Sequence, residues 1–133
     1  MRFIPADNRP FEPASHEDPA QPGVLKRVVA IKDELLAGRV QMINWARLPV
    51  GSSFRNHYHE DMEEVFLLTE GKAEMVIDGE SVELRAGDSV VVSPGEQHSM
   101  KNTGTEDALY VVVGISLGQN GQTIVVEAAS PEV

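Results

Sequence analysis

Cysteine is absent from the 133 residues. There is therefore no disulfide frame and no thiolate nucleophile, and any metal would have to be held by His, Asp or Glu. A reducing cytoplasm is the compartment this composition fits. Aromatic residues make up only 5% of the chain, so a core has to be built from Val, Leu, Ile and Met within the 41% that is hydrophobic. Basic residues are also few: 11 Lys and Arg stand against 21 Asp and Glu, a formal charge of −10. Such a surface repels phosphate backbones and anionic membranes alike, which argues against nucleic acid or a membrane as partner. No apolar run approaches the roughly 20 residues that span a bilayer, and the opening MRFIPADNRP lacks the apolar stretch of a signal peptide. Also missing are an internal repeat, a Gly-rich phosphate loop and a Ser-His-Asp set, so nucleophilic hydrolysis is not expected.

What is present divides at about residue 23. Five of the eight prolines fall in residues 1–23, where ADNRPFEPASHEDPAQPG has neither helical nor strand periodicity. This reads as an extended arm, either solvated or laid across a neighbouring subunit. From Val24 to Val133 the pattern becomes short runs of Val, Ile and Leu bounded by Gly, Pro, Asn or Asp, the mark of an all-β domain. Strands are expected near LKRVVAI, RVQMINWARL, EVFLLTEG, AEMVIDG, SVELR, SVVVS, ALYVVVGISL and QTIVVEA. Asp78-Gly79 predicts a tight type I′ hairpin, and Asn120-Gly121 a second. IKDELLAG could form one short helix ending at Gly38. Many short strands in about 110 residues point to a sandwich or small barrel.

The chemistry is concentrated in HYHEDMEE, residues 57–64. Residues two apart on a strand project to one face, so an extended His57 and His59 present two imidazoles to one point. Taken alone, such a pair is more often two solvated histidines than a metal site. A third histidine, His98, follows the strand-and-turn unit GDSVVVSPGEQH, and a barrel interior would bring it to the first two. Alternation places Glu64, Phe66 and Leu68 on one face and Glu63, Val65 and Leu67 on the other, without saying which face is inside. His16, in the arm beside Glu17 and Asp18, reads as a solvated tail residue. Tyr58 points away from its two flanking histidines. Arg47 and Arg55 have the chemistry to meet a carboxylate, although arginines flanking strands are usually solvated.

Gly51, five residues, His57-x-His59, four residues, Glu64, six residues and Gly71 make one motif. Gly87, Gly95, His98 and Asn102 make a second, fifteen residues further on. Together they resemble the two motifs of the cupin superfamily across residues 40 to 118. One departure is visible: the proline of the second motif is replaced by Ser93, with Pro94 one position later, which bears on the shape of that turn. The resemblance implies a single double-stranded β-helix, or jelly-roll, barrel. It also implies one divalent metal ion per chain (Fe, Mn, Zn or Ni) on His57, His59, Glu64 and His98, with Glu64 rather than Glu63 chosen by the family spacing. Phe54, Phe66, Met100 and Tyr110 are candidates to line the pocket. Three His and one Glu leave positions open on a six-coordinate ion, as catalytic sites do. The expected function is therefore a mononuclear metal enzyme of oxygenase, isomerase or lyase type acting on a small organic molecule. A binding or sensing cupin without turnover is the alternative. The family commonly pairs its barrels, so a homodimer is expected.

Overall fold

The structure, a computed structural model, describes residues 1–116, 118 and 122–127. Eleven strands occur among them: β1 (Glu12–Pro13), β2 (Leu25–Ile31), β3 (Val40–Leu48), β4 (His57–His59), β5 (Met62–Glu70), β6 (Lys72–Ile77), β7 (Glu80–Arg85), β8 (Ser89–Val92), β9 (His98–Asn102), β10 (Ala108–Ser116) and β11 (Thr123–Val125). They form two antiparallel sheets, one in the order β1-β2-β3-β10-β5-β8 and the other β11-β4-β9-β6-β7. This is the jelly-roll implied by the resemblance, within the sandwich or small-barrel class expected from the strand spacing. No helix among the described residues is long and apolar enough to cross a membrane.

Period-two alternation decides what faces inward. Along β10 buried and half-buried residues alternate without a break, placing Ala108, Tyr110, Val112, Gly114 and Ser116 inside. On β5 the inward set is Met62, Glu64, Phe66 and Leu68. The five-stranded sheet contributes Ala73, Met75, Met100 and Leu84, and Met75 lies in register with Met100. Leu48, Leu68, Met75 and Met100 are almost completely enclosed. Each such side chain contributes about 1.5–3 kcal/mol when removed from water, so this aliphatic and thioether core compensates for the scarcity of aromatics.

Asp78 and Gly79 have φ of 48° and 82°, the two positive values that a type I′ hairpin needs between β6 and β7. The Asn120-Gly121 turn lies outside the described residues. IKDELLAG does not form an α-helix; only a 3-10 turn, Lys32–Glu34, occurs there. So short a segment cannot offset the cost of nucleating a helix, and no residue of that turn is buried.

The Pro-rich segment packs on its own barrel. Glu12 and Pro13 pair with Lys26 and Leu25, and the guanidinium groups of Arg27 and Arg47 each lie over the Phe11 ring, 4.3 Å from its centroid. The anchor is Glu17, 8% exposed. Its carboxylate accepts hydrogen bonds from the backbone N–H of Gly23 (2.7 Å) and of Arg55 (3.0 Å). Ser52 Oγ donates to the Gly23 carbonyl at 2.6 Å, so the arm is stitched to the loop that leads into β4.

Gly23 is needed at that junction because of proximity. A Cβ there would collide with the Ser53 carbonyl oxygen and come within 2.6 Å of Glu17 Oε1. Gly23→Ala is expected to lower stability by about 1–3 kcal/mol, as overpacked sites do. A denaturant midpoint indistinguishable from wild type would show that the arm does not pack this way.

Candidate metal centre

Four buried side chains converge on one point inside the barrel. His57 and His59 are presented by β4, Glu64 by β5 and His98 by β9, and one ligand atom from each lies within 4.8 Å of all the others. Their exposures are 2%, 5%, 5% and 0%. The register explains the convergence: His57 pairs directly with His98 across β4 and β9, and Glu64 comes from the facing sheet. Glu63 is on the outward face of β5, half-buried and opposite Ile115.

Each imidazole is oriented through its Nδ1. His57 Nδ1 is 2.7 Å from the Arg55 carbonyl oxygen, His98 Nδ1 is 3.0 Å from that of Glu96, and His59 Nδ1 is 3.1 Å from Thr123 Oγ1. Such outer partners fix ring orientation and leave Nε2 for a ligand. His98 Nε2 lies 3.1 Å from Glu64 Oε1. His59 Nε2 lies 2.7 Å from the same oxygen, a charge contact, but is buried with no hydrogen-bond partner. An unsatisfied buried nitrogen costs about 1–3 kcal/mol. A divalent ion among these donors would relieve it, so the residues present fit one.

Protonation also suits an ion. Burial is the main influence that pushes the His57 pKa down, to about 3, and His16 and His98 add to it. Burial alone would raise the Glu64 pKa, but the contacts with His59 and His98 outweigh it and hold the carboxyl well below the usual range. At neutral pH the cluster therefore offers a neutral His57 imidazole and a carboxylate, the forms that bind metal.

The turn before His98 carries the Ser93 substitution. Glu96 N–H donates to the Ser93 carbonyl at 3.1 Å, Pro94 and Gly95 are the central residues, and Gly95 has φ of 84°. That is a type II turn with proline at its preferred place. Ser93 also keeps an N–H, which donates to Glu96 Oε1 at 2.7 Å; proline there would have none. Gly95 N–H donates to the His59 carbonyl at 2.7 Å, joining the turn to β4.

A cavity of about 180 Å³ opens beside the cluster, and Phe54, Phe66 and Tyr110 are on its wall with His57, His59 and Glu64. Met100 is not. It shares the inward face of β9 with His98 but lies two residues further along, enclosed against Met75, so it belongs to the core and does not reach the lining. His16 also departs from expectation. Its side chain is only 16% exposed and its Nδ1 is 3.0 Å from Glu17 Oε2, while its ring stacks on His57 with centroids 4.1 Å apart. The tail reading failed because the buried Glu17 fixes the arm. Arg47 and Arg55 do not line the cavity; Arg47 covers Phe11 on the outside and Arg55 is exposed.

The wall also includes Lys26 and Asn44, which no motif marks. Each interrupts an apolar alternation, Val24-Lys26-Val28 on β2 and Met42-Asn44-Ala46-Leu48 on β3. That pattern was the available signal.

A family model described as a cupin domain matches residues 44–114, more than half the chain. The chain belongs to the cupin family. A cupin relative named oxalate-binding protein, from Thermotoga maritima, is 30% identical over 95 residues, covering 71% of this chain and 78% of the relative. A crystal structure of a protein described as a predicted oxalate decarboxylase, also from Thermotoga maritima, superposes with a TM-score of 0.67 at 30% identity, covering 71% of this chain and 81% of that one. The polyketide cyclase RemF from Streptomyces resistomycificus gives a TM-score of 0.78 over 97% of this chain and 87% of its own, and at 17% identity it shares the fold alone.

The two adjacent glutamates separate in a simple test. Glu64→Gln is expected to lose bound metal, whereas Glu63→Gln keeps it at the wild-type level, as read by elemental analysis of purified protein. The opposite result would move the ligand to Glu63.

Proposed function

We propose that this cupin is a mononuclear metal-dependent enzyme acting on a small organic molecule, with His57, His59, Glu64 and His98 as the ligands. The observation that carries this reading is the set of four buried side chains with ligand atoms within 4.8 Å of one another, three of which, His57, His59 and Glu64, line a cavity. A divalent ion held there supplies Lewis acidity toward a substrate oxygen. The oxalate in the name of the Thermotoga maritima relative is a small molecule that chelates through oxygen, which is compatible with an open coordination sphere.

The chain's own groups have separable roles. The Arg55 and Glu96 carbonyls and Thr123 Oγ1 hold the three imidazoles in orientation. Phe54 and Phe66 pack against His57 and His98 with ring centroids 5.3 and 5.8 Å apart, keeping bulk water from the donors. Burial foremost, then the charges of Glu64 and Glu17, raise the Tyr110 pKa. Its phenol stays protonated and can donate a hydrogen bond into the cavity.

Oxygenation, isomerisation and elimination are all within reach of such a site, and the metal's identity selects among them. A cupin that binds metal and ligand without turnover is the alternative. Oxygen uptake or substrate change on adding Fe(II) with catechols, keto acids or flavonoids separates the two. We infer a homodimer, supported by an apolar row on the outer face of the six-stranded sheet, where Ile43, Val113, Val65 and Val91 align across four strands. Light scattering that returned the mass of one chain would reject it. A cytoplasmic location accords with the absence of cysteine.

Elemental analysis of untagged protein is expected to give about one equivalent of a single divalent metal, lost in both His57→Ala and His98→Ala. Protein that holds none and cannot be loaded would overturn the enzyme reading.

A further inference from the structure

The wall of the cavity formed by β2 and β3 carries polar groups that the metal centre does not use. Lys26 is opposite Ala46, and Ala46 is opposite Tyr110, so these three side chains share the inward face. Asn44 is opposite Val28 and Val112 on that same face. Lys26 and Asn44 are therefore diagonal neighbours, with separations of about 7–8 Å by sheet geometry, and both line the cavity that contains Glu64.

Each is underused by the protein. Asn44 is 8% exposed, and its Oδ1 is buried with no hydrogen-bond partner. Leaving an amide oxygen in that state costs about 1–3 kcal/mol, so a site that retains one is poised for a donor from elsewhere. Lys26 is half-buried and is the single Lys or Arg among the described residues lining the cavity. Glu12 stands opposite it across β1 and β2, yet Arg9, His16, His59 and His98 provide the cations of the ion pairs found among the described residues, and Lys26 forms none. In a chain of net charge −10, an ammonium without an ion pair on a residue that lines the cavity creates a local site for an anion.

We propose that Lys26 and Asn44 form a recognition wall for a small hydroxycarboxylic acid. The carboxylate is held by the Lys26 ammonium, and the hydroxyl donates to Asn44 Oδ1. The neighbouring apolar groups, Val28, Val112 and Phe66, contact the carbon skeleton and admit only a small one. This deepens the reading of a metal-dependent enzyme and rests on it only for the use to which the bound acid is put; the binding itself comes from β2 and β3.

The test is calorimetric titration with three matched probes. Lactate carries both groups, lactamide lacks the charge and propionate lacks the hydroxyl. Wild-type protein is expected to prefer lactate over each of the others by about tenfold, the scale of one charge-assisted or buried hydrogen bond. Lys26→Gln should abolish the preference over lactamide and Lys26→Arg should retain it, while Asn44→Val should abolish the preference over propionate alone. Equal affinity of wild type for all three, no lactate binding, or unchanged preferences in the variants overturns the proposal. Metal content is measured in every sample so that the two readings fail separately. Lys26→Gln with full metal and undiminished lactate affinity overturns the recognition wall and leaves the metal centre. Wild type that cannot be loaded with metal yet binds lactate through Lys26 supports the wall and overturns the centre.

Discussion

The structure depends on keeping one carboxylate, Glu64, ionised inside a barrel whose core is mostly apolar. Removing such a charge from water costs several kcal/mol unless surrounding groups compensate. Here His98 and His59 close on the same oxygen at 3.1 and 2.7 Å, and much of the neighbouring architecture serves that convergence. Strand β4 is only three residues long yet pairs on both sides, with β9 and with β11, which holds two histidines against strands that carry a third histidine and Thr123. Gly114 is opposite Glu64 on β10 and has no side chain there; the space it leaves is filled by the sulfur-bearing ends of Met42 and Met62. Polarisable, flexible thioethers suit that role beside a charged group.

Support for the cluster arrives through backbone groups more than through side chains. Carbonyl oxygens of Arg55 and Glu96 engage His57 and His98. Asn102, 3% exposed, donates to the carbonyls of Leu48 and Glu106 and accepts from Gly104 N–H, closing the loop that leads from β9 to β10. Main-chain groups are positioned by the fold itself, so the precision of the site is tied to the register of the sheets and needs few dedicated residues.

Most of the fold was legible because period-two alternation and turn chemistry act over a few residues. The eight expected strands appear, although Leu117 of ALYVVVGISL and the part of QTIVVEA beyond Glu127 are outside the described residues, and Asp78-Gly79 has the backbone its sequence implied. The four donors were legible as a pattern of spacing. What stayed hidden depended on long-range packing. His16 seemed a tail residue because nothing local reveals that Glu17 will accept hydrogen bonds from Gly23 and from Arg55, 38 residues away. Met100 shares a face with His98, as read, but alternation gives the side of a sheet and not the depth along it. Lys26 and Asn44 each broke an apolar face, and only the pairing of β2 with β3 shows that the two breaks adjoin.

The cavity is made by two stretches of chain with different obligations. Strands β4, β5 and β9 carry the donors and fall within residues 44–114, the part that matches the cupin model. The opposite wall is largely β2, the start of β3 and the docked arm, which supply Lys26 and His16 from before that region. A barrel divided in this way lets a change in the arm, β2 or the start of β3 reshape the wall that faces a ligand without replacing any of the four clustered side chains.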